Sequence, residues 1–331
     1  MSIFLSILAL IIIAGFIWLM MQPANYEVVR RRVINVAPDE AYANVADLKN
    51  WSKWNPWIMH EPDATLEYSG QTDAAQGWYS WNGQFIGSGK MTHTSMIENQ
   101  SIEQALEFHK PMKSKSEVYW RFSPVGESTE VTWGMRGKMP FLFRWMSKMM
   151  DQWVGKDYEI GLARLAAASG DTEDAYEIGF PGTVESQPED YIATHYVGPI
   201  DEMADAMKKG FPKVVMATVE NGMKISGAPF TLYHDFDMKN GKVICDIAVP
   251  VDELKEVDGF ITGSLLAQKY MRTSLHGDYK HLEAAWHSAF SHARMFKQKI
   301  QVGKPMVERY VTDPAETSGL ELQTVIDLPL K

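Results

Sequence analysis

The feature that most constrains this chain is an uninterrupted apolar stretch at residues 3–21, with no charged residue before Glu27. As a helix rising about 1.5 Å per residue, it would be roughly 28 Å long, which matches the hydrocarbon core of a bilayer. Trp18 and Pro23 are typical of a membrane interface and of a helix stop. A buried helix of a soluble protein normally keeps one polar face. The stretch therefore predicts a transmembrane anchor within residues 1–25.

The stretch lacks the signs of a cleaved signal peptide, because no Lys or Arg precedes it and no small-x-small site follows it. We expect an uncleaved, single-pass anchor in the cell membrane. Arg30, Arg31 and Arg32 follow within about ten residues of its end, where basic residues favour the cytoplasmic side. The soluble part is therefore expected in the cytoplasm. The opposite orientation stays open if these arginines belong to a folded strand.

The composition of the rest of the chain restricts the classes of molecule that it is expected to bind. This part is long enough for two domains of ordinary size. A formal net charge of −10 argues against nucleic acid. A single cysteine, Cys245, excludes an intrachain disulfide and weakly favours a reducing compartment. The 11 Trp, 13 Tyr, 14 Phe and 20 Met residues favour an apolar ligand cavity, although the same side chains fill ordinary cores.

Residues 26–170 predict a first α+β domain. A β-branched strand over residues 26–36 leads into a short helix that begins at Pro38 and ends near Leu48. An aromatic loop follows at residues 51–57, and a long helix over residues 141–168 closes the unit. Asn82-Gly83 predicts a two-residue hairpin turn. Strands are expected between loop and closing helix, at residues 78–86, 90–97, 102–109, 117–122 and 129–135.

This order of elements resembles the helix-grip fold of the START-related SRPBCC superfamily, in its polyketide-cyclase-like branch. The resemblance covers residues 26–170. It implies a deep apolar cavity between sheet and long helix that binds a hydrophobic small molecule, and it implies no particular catalysis. The residues that carry it are Val36-Ala37-Pro38, the loop at 51–57, Tyr68-Ser69-Gly70, Gly77-Trp78, Trp81-Asn82-Gly83, Gly87-Ser88-Gly89 and Thr132-Trp133.

The second domain, placed at residues 171–331 after a small, acidic linker, contains an internal repeat. Gly198-Pro199 and Gly277-Asp278 lie 79 residues apart, ahead of helical runs at 201–209 and 279–296. Two further pairs of landmarks recur in the same order, at offsets of 76 and 79. Two copies are too few for a solenoid, which needs at least about three. The repeat predicts a pseudo-twofold α+β domain with a cleft where equivalent strands meet. These further pairs are residues 227–230 with 303–306, and 247–250 with 326–329.

This half resembles the GyrI-like, or effector-binding, domain of multidrug-sensing regulators. The resemblance implies a small-molecule site in the cleft. No helix-turn-helix accompanies it, so the DNA-binding role of those regulators does not carry over. The residues that carry the resemblance are His195, Gly198-Pro199, Gly227, Pro229-Phe230, Tyr233, His276-Gly277-Asp278-Tyr279, Leu282, Trp286, residues 305–310 and Asp313-Pro314.

Glu308 is the leading candidate for a functional residue. Period two in a strand puts Met306, Glu308 and Tyr310 on one face. At the offset of 76, Leu232 stands where the second copy has this acid. In the cleft that the resemblance implies, the carboxylate would pair with a cationic ligand or take a raised pKa for acid–base work. The alternative is an exposed edge-strand Glu paired with a Lys.

Aromatic side chains are predicted to wall the same cleft and to offer cation–π contacts to an amphipathic cation. Trp286 and Phe290 are four residues apart on a helix, so ordinary core packing remains an alternative for them. The resemblance also leaves open a hydrolase that uses Glu308 and a tyrosine hydroxyl. The predicted ligand-binding residues are Glu308, Tyr310, Trp286, Tyr233, Phe230 and Met306.

Other patterns do not predict a site. Four histidines at 276–292 are spaced five or six apart, so they do not share a helical face for a metal. Residues 235–241 look like the start of a calcium loop, but Lys239 and Asn240 replace a ligand and the required Gly. We therefore expect no metal and no cofactor. The leading hypothesis is a membrane-anchored, non-catalytic binder of hydrophobic or amphipathic, including cationic, small molecules. A hydrolase and a structural partner with packed cavities are the alternatives.

Overall fold

The computed structural model describes residues 2–237 and 240–331 and divides into two compact units that meet in sequence at Ala175 and Tyr176. Helix α1, Ser2–Met21, comes first. Its segment Phe4–Met21 has a mean hydropathy of 2.7 and no residue buried in the structure. In length and composition α1 is therefore sufficient to cross a membrane. Met238 and Lys239, which belong to the calcium-loop lookalike, lie outside the described residues.

The first unit is built on a seven-stranded antiparallel sheet in the order β1-β7-β6-β5-β4-β3-β2. Its helices are α2 (Pro38–Ala46), α3 (Trp51–Trp54) and α4 (Met150–Ala168), and a 3-10 segment, Phe141–Met149, precedes α4. The fold class predicted from the sequence is confirmed. The strands are β1 (Asn25–Ile34), β2 (Thr65–Tyr68), β3 (Trp78–Asn82), β4 (Ser88–Ile97), β5 (Ser101–Lys110), β6 (Ser114–Val125) and β7 (Ser128–Lys138).

Stacked aromatic rings fill much of the space between this sheet and α4. Trp120 stacks on Trp133 at 4.5 Å between ring centroids, and Trp133 stacks on Tyr158 of α4 at 3.8 Å. Trp51 and Trp54 meet this stack edge-on, and all five rings are buried. The cavity implied by the resemblance would lie where these rings pack.

The predicted two-residue turn at Asn82-Gly83 is wrong. Asn82 pairs with Ser88, so five residues separate β3 from β4. The Glu61 carboxylate accepts hydrogen bonds from the backbone N–H groups of Gln84, Phe85 and Ile86, at 2.6, 2.9 and 2.9 Å. The Glu61 side chain, distant in sequence, thus accepts hydrogen bonds from these backbone N–H groups. In a two-residue turn they would instead have belonged to the β3–β4 strand pair.

The second unit is built on an eight-stranded antiparallel sheet in the order β12-β9-β11-β10-β14-β15-β13-β8. The order is symmetric about the β10/β14 pair, and each copy lends an edge strand to the other: β8 pairs with β13, and β12 with β9. The elements are β8 (Glu177–Glu185), β9 (Glu189–Pro199), α5 (Met203–Glu220), β10 (Phe230–Asp237), β11 (Lys242–Val251), β12 (Ile261–Leu265), β13 (Lys269–His276), α6 (Leu282–Met295), β14 (Met306–Tyr310) and β15 (Gln323–Pro329).

Helix α5 extends well beyond the predicted end at Lys209, through Gly210 and Pro212, to Glu220. A β-carbon at Gly210 would lie 2.7 Å from the side chain of Ile247. The glycine therefore lets α5 approach the sheet closely and does not cap a helix.

Strand pairing corrects the equivalence of the two copies. Phe230 lies opposite Ala248, and Val307 lies opposite Asp327. Asp327 follows Ala248 by the 79 residues of the repeat, whereas Val307 follows Phe230 by 77. The counterpart of Glu308 is therefore Thr231, and not Leu232. By the same offset, Tyr310 is the counterpart of Tyr233.

Candidate functional site

The candidate site lies on the central strand pair of the second unit. Thr231 of β10 faces Glu308 of β14, and Tyr233 faces Met306. Residues directly opposite each other in an antiparallel pair share a face. Helix α5 packs on β9 and β11 on one side of this pair, and α6 packs on β13 and β15 on the other. The site is therefore made where the two copies of the repeat meet.

Three donors from three elements converge on the Glu308 carboxylate, which is 1% exposed. The Tyr310 hydroxyl donates to Oε1 at 2.5 Å, and the Tyr233 hydroxyl donates to the same oxygen at 3.3 Å. Trp286 Nε1 of α6 donates to Oε2 at 2.5 Å. Both oxygens are thus held by rigid aromatic side chains.

The hydrogen-bond partners of the Glu308 carboxylate are all neutral side chains. Burial raises the pKa of Glu308 and outweighs the hydrogen bonds from Tyr310, Trp286 and Tyr233, which act to lower it. Burial, together with the nearby carboxylate, raises the pKa of Tyr233 and Tyr310 well above the ordinary tyrosine range. In residues 2–237 and 240–331, no Lys, Arg or His forms an ion pair with Glu308.

Apolar side chains surround the carboxylate in a pattern that follows the repeat. Met207 and Phe211 of α5 stand 79 residues before Trp286 and Phe290 of α6. The Tyr310 hydroxyl lies 3.3 Å from Met207 Sδ, and the Phe211 ring meets the Tyr310 ring edge-on at 5.3 Å. On the other copy, Trp286 meets the Tyr233 ring edge-on at 5.2 Å and stacks on Phe290 at 5.8 Å.

Several of these apolar side chains remain open to solvent. Phe290 is 41% exposed, and Met207, Phe211 and Trp286 are half-buried. Glu308 therefore lies beneath a partly exposed apolar surface. Half-buried Tyr196, Ile200, Met203, Phe236 and Met306 belong to the same apolar cluster.

Five of the six predicted residues are brought together here: Glu308, Tyr310, Tyr233 and Trp286 in direct contact, and Met306 in the adjoining cluster. Phe230 is not among them. Because it precedes Thr231 by one residue in β10, it points to the opposite face of the sheet. There its ring packs edge-on against Tyr191 at 5.8 Å, and the Arg309 guanidinium lies 4.6 Å above it.

Sequence reasoning missed three residues of the site: Thr231, Met207 and Phe211. Thr231 Oγ1 lies 3.2 Å from the Tyr310 hydroxyl. The repeat itself contained the signal for the other two, because Met207 and Phe211 precede Trp286 and Phe290 by the 79 residues already evident from Gly198 and Gly277.

The opposite face of the same sheet contains a second polar group. The Asp246 carboxylate bridges two imidazoles, with His195 Nδ1 at 2.6 Å from one oxygen and His234 Nε2 at 2.7 Å from the other. Burial acts to raise the pKa of Asp246, but the hydrogen bonds with His234 and His195 outweigh it and lower the pKa. The partners of this carboxylate, unlike those of Glu308, are imidazoles, which carry a positive charge when protonated.

Comparison with known protein families defines the class of each unit. Residues 26–170 match the family described as polyketide cyclase / dehydrase and lipid transport, and residues 184–331 match the GyrI-like small molecule binding domain. The chain is thus an SRPBCC-type domain followed by a GyrI-like domain. Both resemblances drawn from the sequence are confirmed, in the predicted order. The GyrI-like match identifies the second unit as a small-molecule-binding domain.

Several solved structures are similar to parts of this chain at low sequence identity. The EcmrR C-terminal domain is 16% identical, covers 47% of this chain and 98% of its own, and gives a TM-score of 0.41. SAV2435, solved bound to tetraphenylphosphonium, is 15% identical, covers 47% and 94%, and gives 0.38. CalU16 from Micromonospora echinospora is 17% identical, covers 44% and 76%, and gives 0.32. No curated protein matches the sequence.

Proposed function

We propose that this chain is a membrane-anchored binding protein for hydrophobic or amphipathic small molecules, and that its GyrI-like domain selects those with a positive charge. The observation that carries the proposal is the buried Glu308 carboxylate, which has three hydrogen-bond donors and, among the described residues, no cationic partner. A buried charge without a counter-charge is costly. A cationic ligand would supply that counter-charge.

The surroundings of Glu308 favour a cation with an apolar body. Tyrosine and tryptophan faces attract cations, by about 2 kcal/mol or more where water is excluded. Methionine and half-buried aromatic side chains, such as Met207 and Trp286, adapt to irregular apolar shapes. Because Glu308 is almost fully buried, a ligand reaches it only when side chains of α5 or α6 move aside.

The membrane part of the proposal rests on α1. Its 20 residues contain no charge, and the side chains from Leu5 to Ile17 are exposed, which a water-soluble helix of this composition would not tolerate. Arg30, Arg31 and Arg32 follow it and favour the cytoplasmic side for both domains. All three lie in β1, where Arg30 and Arg32 form ion pairs in the folded protein, so the opposite orientation stays the alternative. A sensor of lipophilic compounds that partition into the membrane is consistent with this arrangement.

Isothermal titration of the detergent-solubilised full chain with tetraphenylphosphonium tests the proposal. This probe is a permanent cation with four aromatic rings, so its charge does not vary with pH. We expect Glu308→Gln to weaken its binding by about 30-fold or more, the effect of removing one partner of a buried charge pair. Triphenylphosphine oxide, a neutral molecule with similar rings, should bind both proteins alike.

Glu253→Gln provides the matched control, because the Glu253 side chain is 73% exposed and lies 3.6 Å from Lys255. It should leave the affinity for tetraphenylphosphonium unchanged. Equal binding of the cation by wild type and Glu308→Gln would refute the proposed role of the carboxylate. Absence of binding in the wild type would refute the cationic preference altogether.

A second candidate function is hydrolysis of a small molecule, favoured by the 2.5 Å hydrogen bond between Tyr310 and Glu308. A carboxylate with a raised pKa beside an aromatic hydroxyl is suited to general acid–base catalysis. If the protein is a hydrolase, Glu308→Gln should abolish turnover of a substrate ester while its binding persists. Unchanged turnover in that variant would exclude this role.

A further inference from the structure

The 3-10 segment Phe141–Met149 of the first unit exposes an unusual amount of apolar surface. Leu142 is 67% exposed, Phe143 37% and Trp145 41%. These three residues lie within four positions of the chain, whereas Trp51, Trp54, Trp81, Trp120 and Trp133 lie in the core of this unit. Clustered exposed apolar side chains of this size mark a contact surface.

The 3-10 geometry determines which side chains of the segment share a face. In a 3-10 helix, residues three apart lie above one another, so Leu142, Trp145 and Lys148 form one exposed row. Ser147, on another side, is buried and donates its hydroxyl hydrogen bond to the protein backbone. A row of Leu, Trp and Lys is typical of a membrane interface, where tryptophan lies at headgroup level and the lysine stem reaches toward water.

The segment is attached to the end of α1. The rings of Phe141 and Phe16 are 5.0 Å apart. Ser147 Oγ donates to the carbonyl oxygen of Pro23 at 2.8 Å, and the Met139 N–H donates to that of Ala24 at 2.7 Å. These contacts fix the exposed row beside the proposed transmembrane helix.

The depth of this contact can be estimated from helix geometry. Phe16 precedes Met21, the last residue of α1, by five positions, or about 7.5 Å along the axis. Segments that lie in the membrane interface bury their apolar face about 5–10 Å into the boundary between headgroups and acyl chains. Phe141 thus meets α1 within the interfacial depth.

The charges around the segment suit anionic headgroups. Lys138, Arg144 and Lys148 lie in or next to it, in a chain whose net charge is −10. Within the described parts of the chain, none of these three forms an ion pair. Basic residues near a surface of anionic lipid contribute about 1 kcal/mol each.

We propose that residues 141–149 form a second membrane contact, which lies in the interface beside α1 and binds a bilayer that contains anionic lipid. Leu142, Phe143 and Trp145 insert at the boundary between headgroups and acyl chains, and Lys138 and Lys148 contact lipid phosphates. Arg144 lies in the row of Ser147, with its guanidinium over the Phe141 ring at 5.3 Å. This inference rests on the proposed insertion of α1. Its consequence is that the first domain is held against the membrane and does not move freely on a tether.

Site-directed spin labelling of the full chain in phosphatidylcholine/phosphatidylglycerol vesicles tests this contact. Cys245 is buried and its pKa is raised by burial to about 12, so a thiol label reacts with an introduced cysteine. The test position is Leu142→Cys. Ile11→Cys in α1 is the membrane reference, and Val125→Cys, 50% exposed, is the water reference. Val125 lies next to the start of β7, about 33 Å along that strand from Lys138.

Relaxation by dissolved oxygen, which partitions into the bilayer, is compared with relaxation by a water-soluble nickel chelate. We expect the ratio of the two at Leu142→Cys to exceed that at Val125→Cys by about fivefold or more and to approach that at Ile11→Cys. A nickel-accessible label at 142, with 11 in the bilayer, would overturn the second contact and leave the anchor standing. A label at 142 shielded from both reagents would show that protein covers the segment, which also overturns it. A nickel-accessible label at 11 would refute the anchor and the inference together.

Discussion

The two units use aromatic side chains in opposite ways. In the first, Trp120 donates to the neutral amide oxygen of Gln104 at 3.0 Å, and Trp51 donates to the backbone carbonyl of Val45 at 2.9 Å. In the second, Trp286, Tyr233 and Tyr310 all donate to one buried carboxylate. These two buried tryptophans of the first unit thus donate to neutral acceptors, whereas three rings of the second donate to the same carboxylate.

This difference shows what distinguishes an aromatic core from an aromatic site. A neutral acceptor is satisfied by one donor and requires nothing further. A buried carboxylate with neutral donors alone has, when it is ionised, a negative charge that a ligand can neutralise. The number of aromatic residues is therefore a poor guide to a binding site, and the group to which their N–H and O–H donate is the better one.

The largest expected effect comes from removing a ring of the stacked core. Trp133→Ala should lower the free energy of unfolding of the first unit by about 3–5 kcal/mol, because Trp133 is 1% exposed and stacks on two neighbours. Binding of tetraphenylphosphonium should change by less than about twofold, since Trp133 and Glu308 belong to separate compact units and share no partner. Denaturant titration and calorimetric binding measure the two.

Trp145→Ala is the control for that variant. Trp145 is 41% exposed, so in detergent its removal should change the free energy of unfolding by about 0.5 kcal/mol or less. A strong loss of cation binding in Trp133→Ala, with the second unit still folded, would contradict the assignment of the site to Glu308.

An effect of intermediate size on stability is expected from removing one tryptophan N–H donor in each unit. Trp286→Phe removes a donor to the Glu308 carboxylate and should lower the free energy of unfolding by about 1.5–3 kcal/mol where that group is ionised. Trp120→Phe removes a donor to neutral Gln104 and should lower it by about 0.5–1.5 kcal/mol beyond the loss of packing. Urea denaturation near neutral pH compares them. Equal costs would indicate that Glu308 is already protonated there.

The smallest expected effect is a dependence of the free energy of unfolding on pH. The pKa of Glu308 in the folded protein is raised above the usual 4.5, so its contribution to stability is fully present below about pH 4.5 and is lost as the pH rises through the folded value. Without ligand, the wild type should therefore lose stability relative to Glu308→Gln by at most about 1.4 kcal/mol per pH unit. Affinity for tetraphenylphosphonium should rise over the same range.

Chemical denaturation and titration at steps between about pH 4 and about pH 8 measure both slopes. Parallel stability curves for the two proteins would mean that burial does not perturb Glu308. A cation affinity that falls with rising pH would contradict the proposed counter-charge.

Much of the architecture could be predicted from local pattern. The apolar run of α1, six of the seven strands of the first unit and the repeat of the second follow from composition and spacing, whereas the short strand Thr65–Tyr68 was missed. Period two in β14 was sufficient to put Glu308 and Tyr310 on one face. These features depend on neighbours in sequence. Whether Glu308 binds a ligand remains a prediction.

What failed depended on contacts between distant parts of the chain. Phe230 was assigned to the cleft because spacing cannot state which face of β10 meets which face of β14; the pairing of Thr231 with Glu308 decides that. The Glu61 carboxylate shapes the loop after Asn82 through its hydrogen bonds to the backbone. The offset of 77 residues between equivalent positions of β10 and β14 is evident only from the strand register. Each is set by hydrogen bonds between elements far apart in sequence.

The exchanged edge strands make the second unit indivisible. Because β8 of the first copy completes the sheet beside β13, and β12 of the second completes it beside β9, neither copy has all its strands alone. A protease cut in the connection at residues 252–260 would leave two fragments that stay associated through shared strands. Tyr233 would then reside on one fragment and Glu308 on the other. The candidate site thus forms only when both fragments are present.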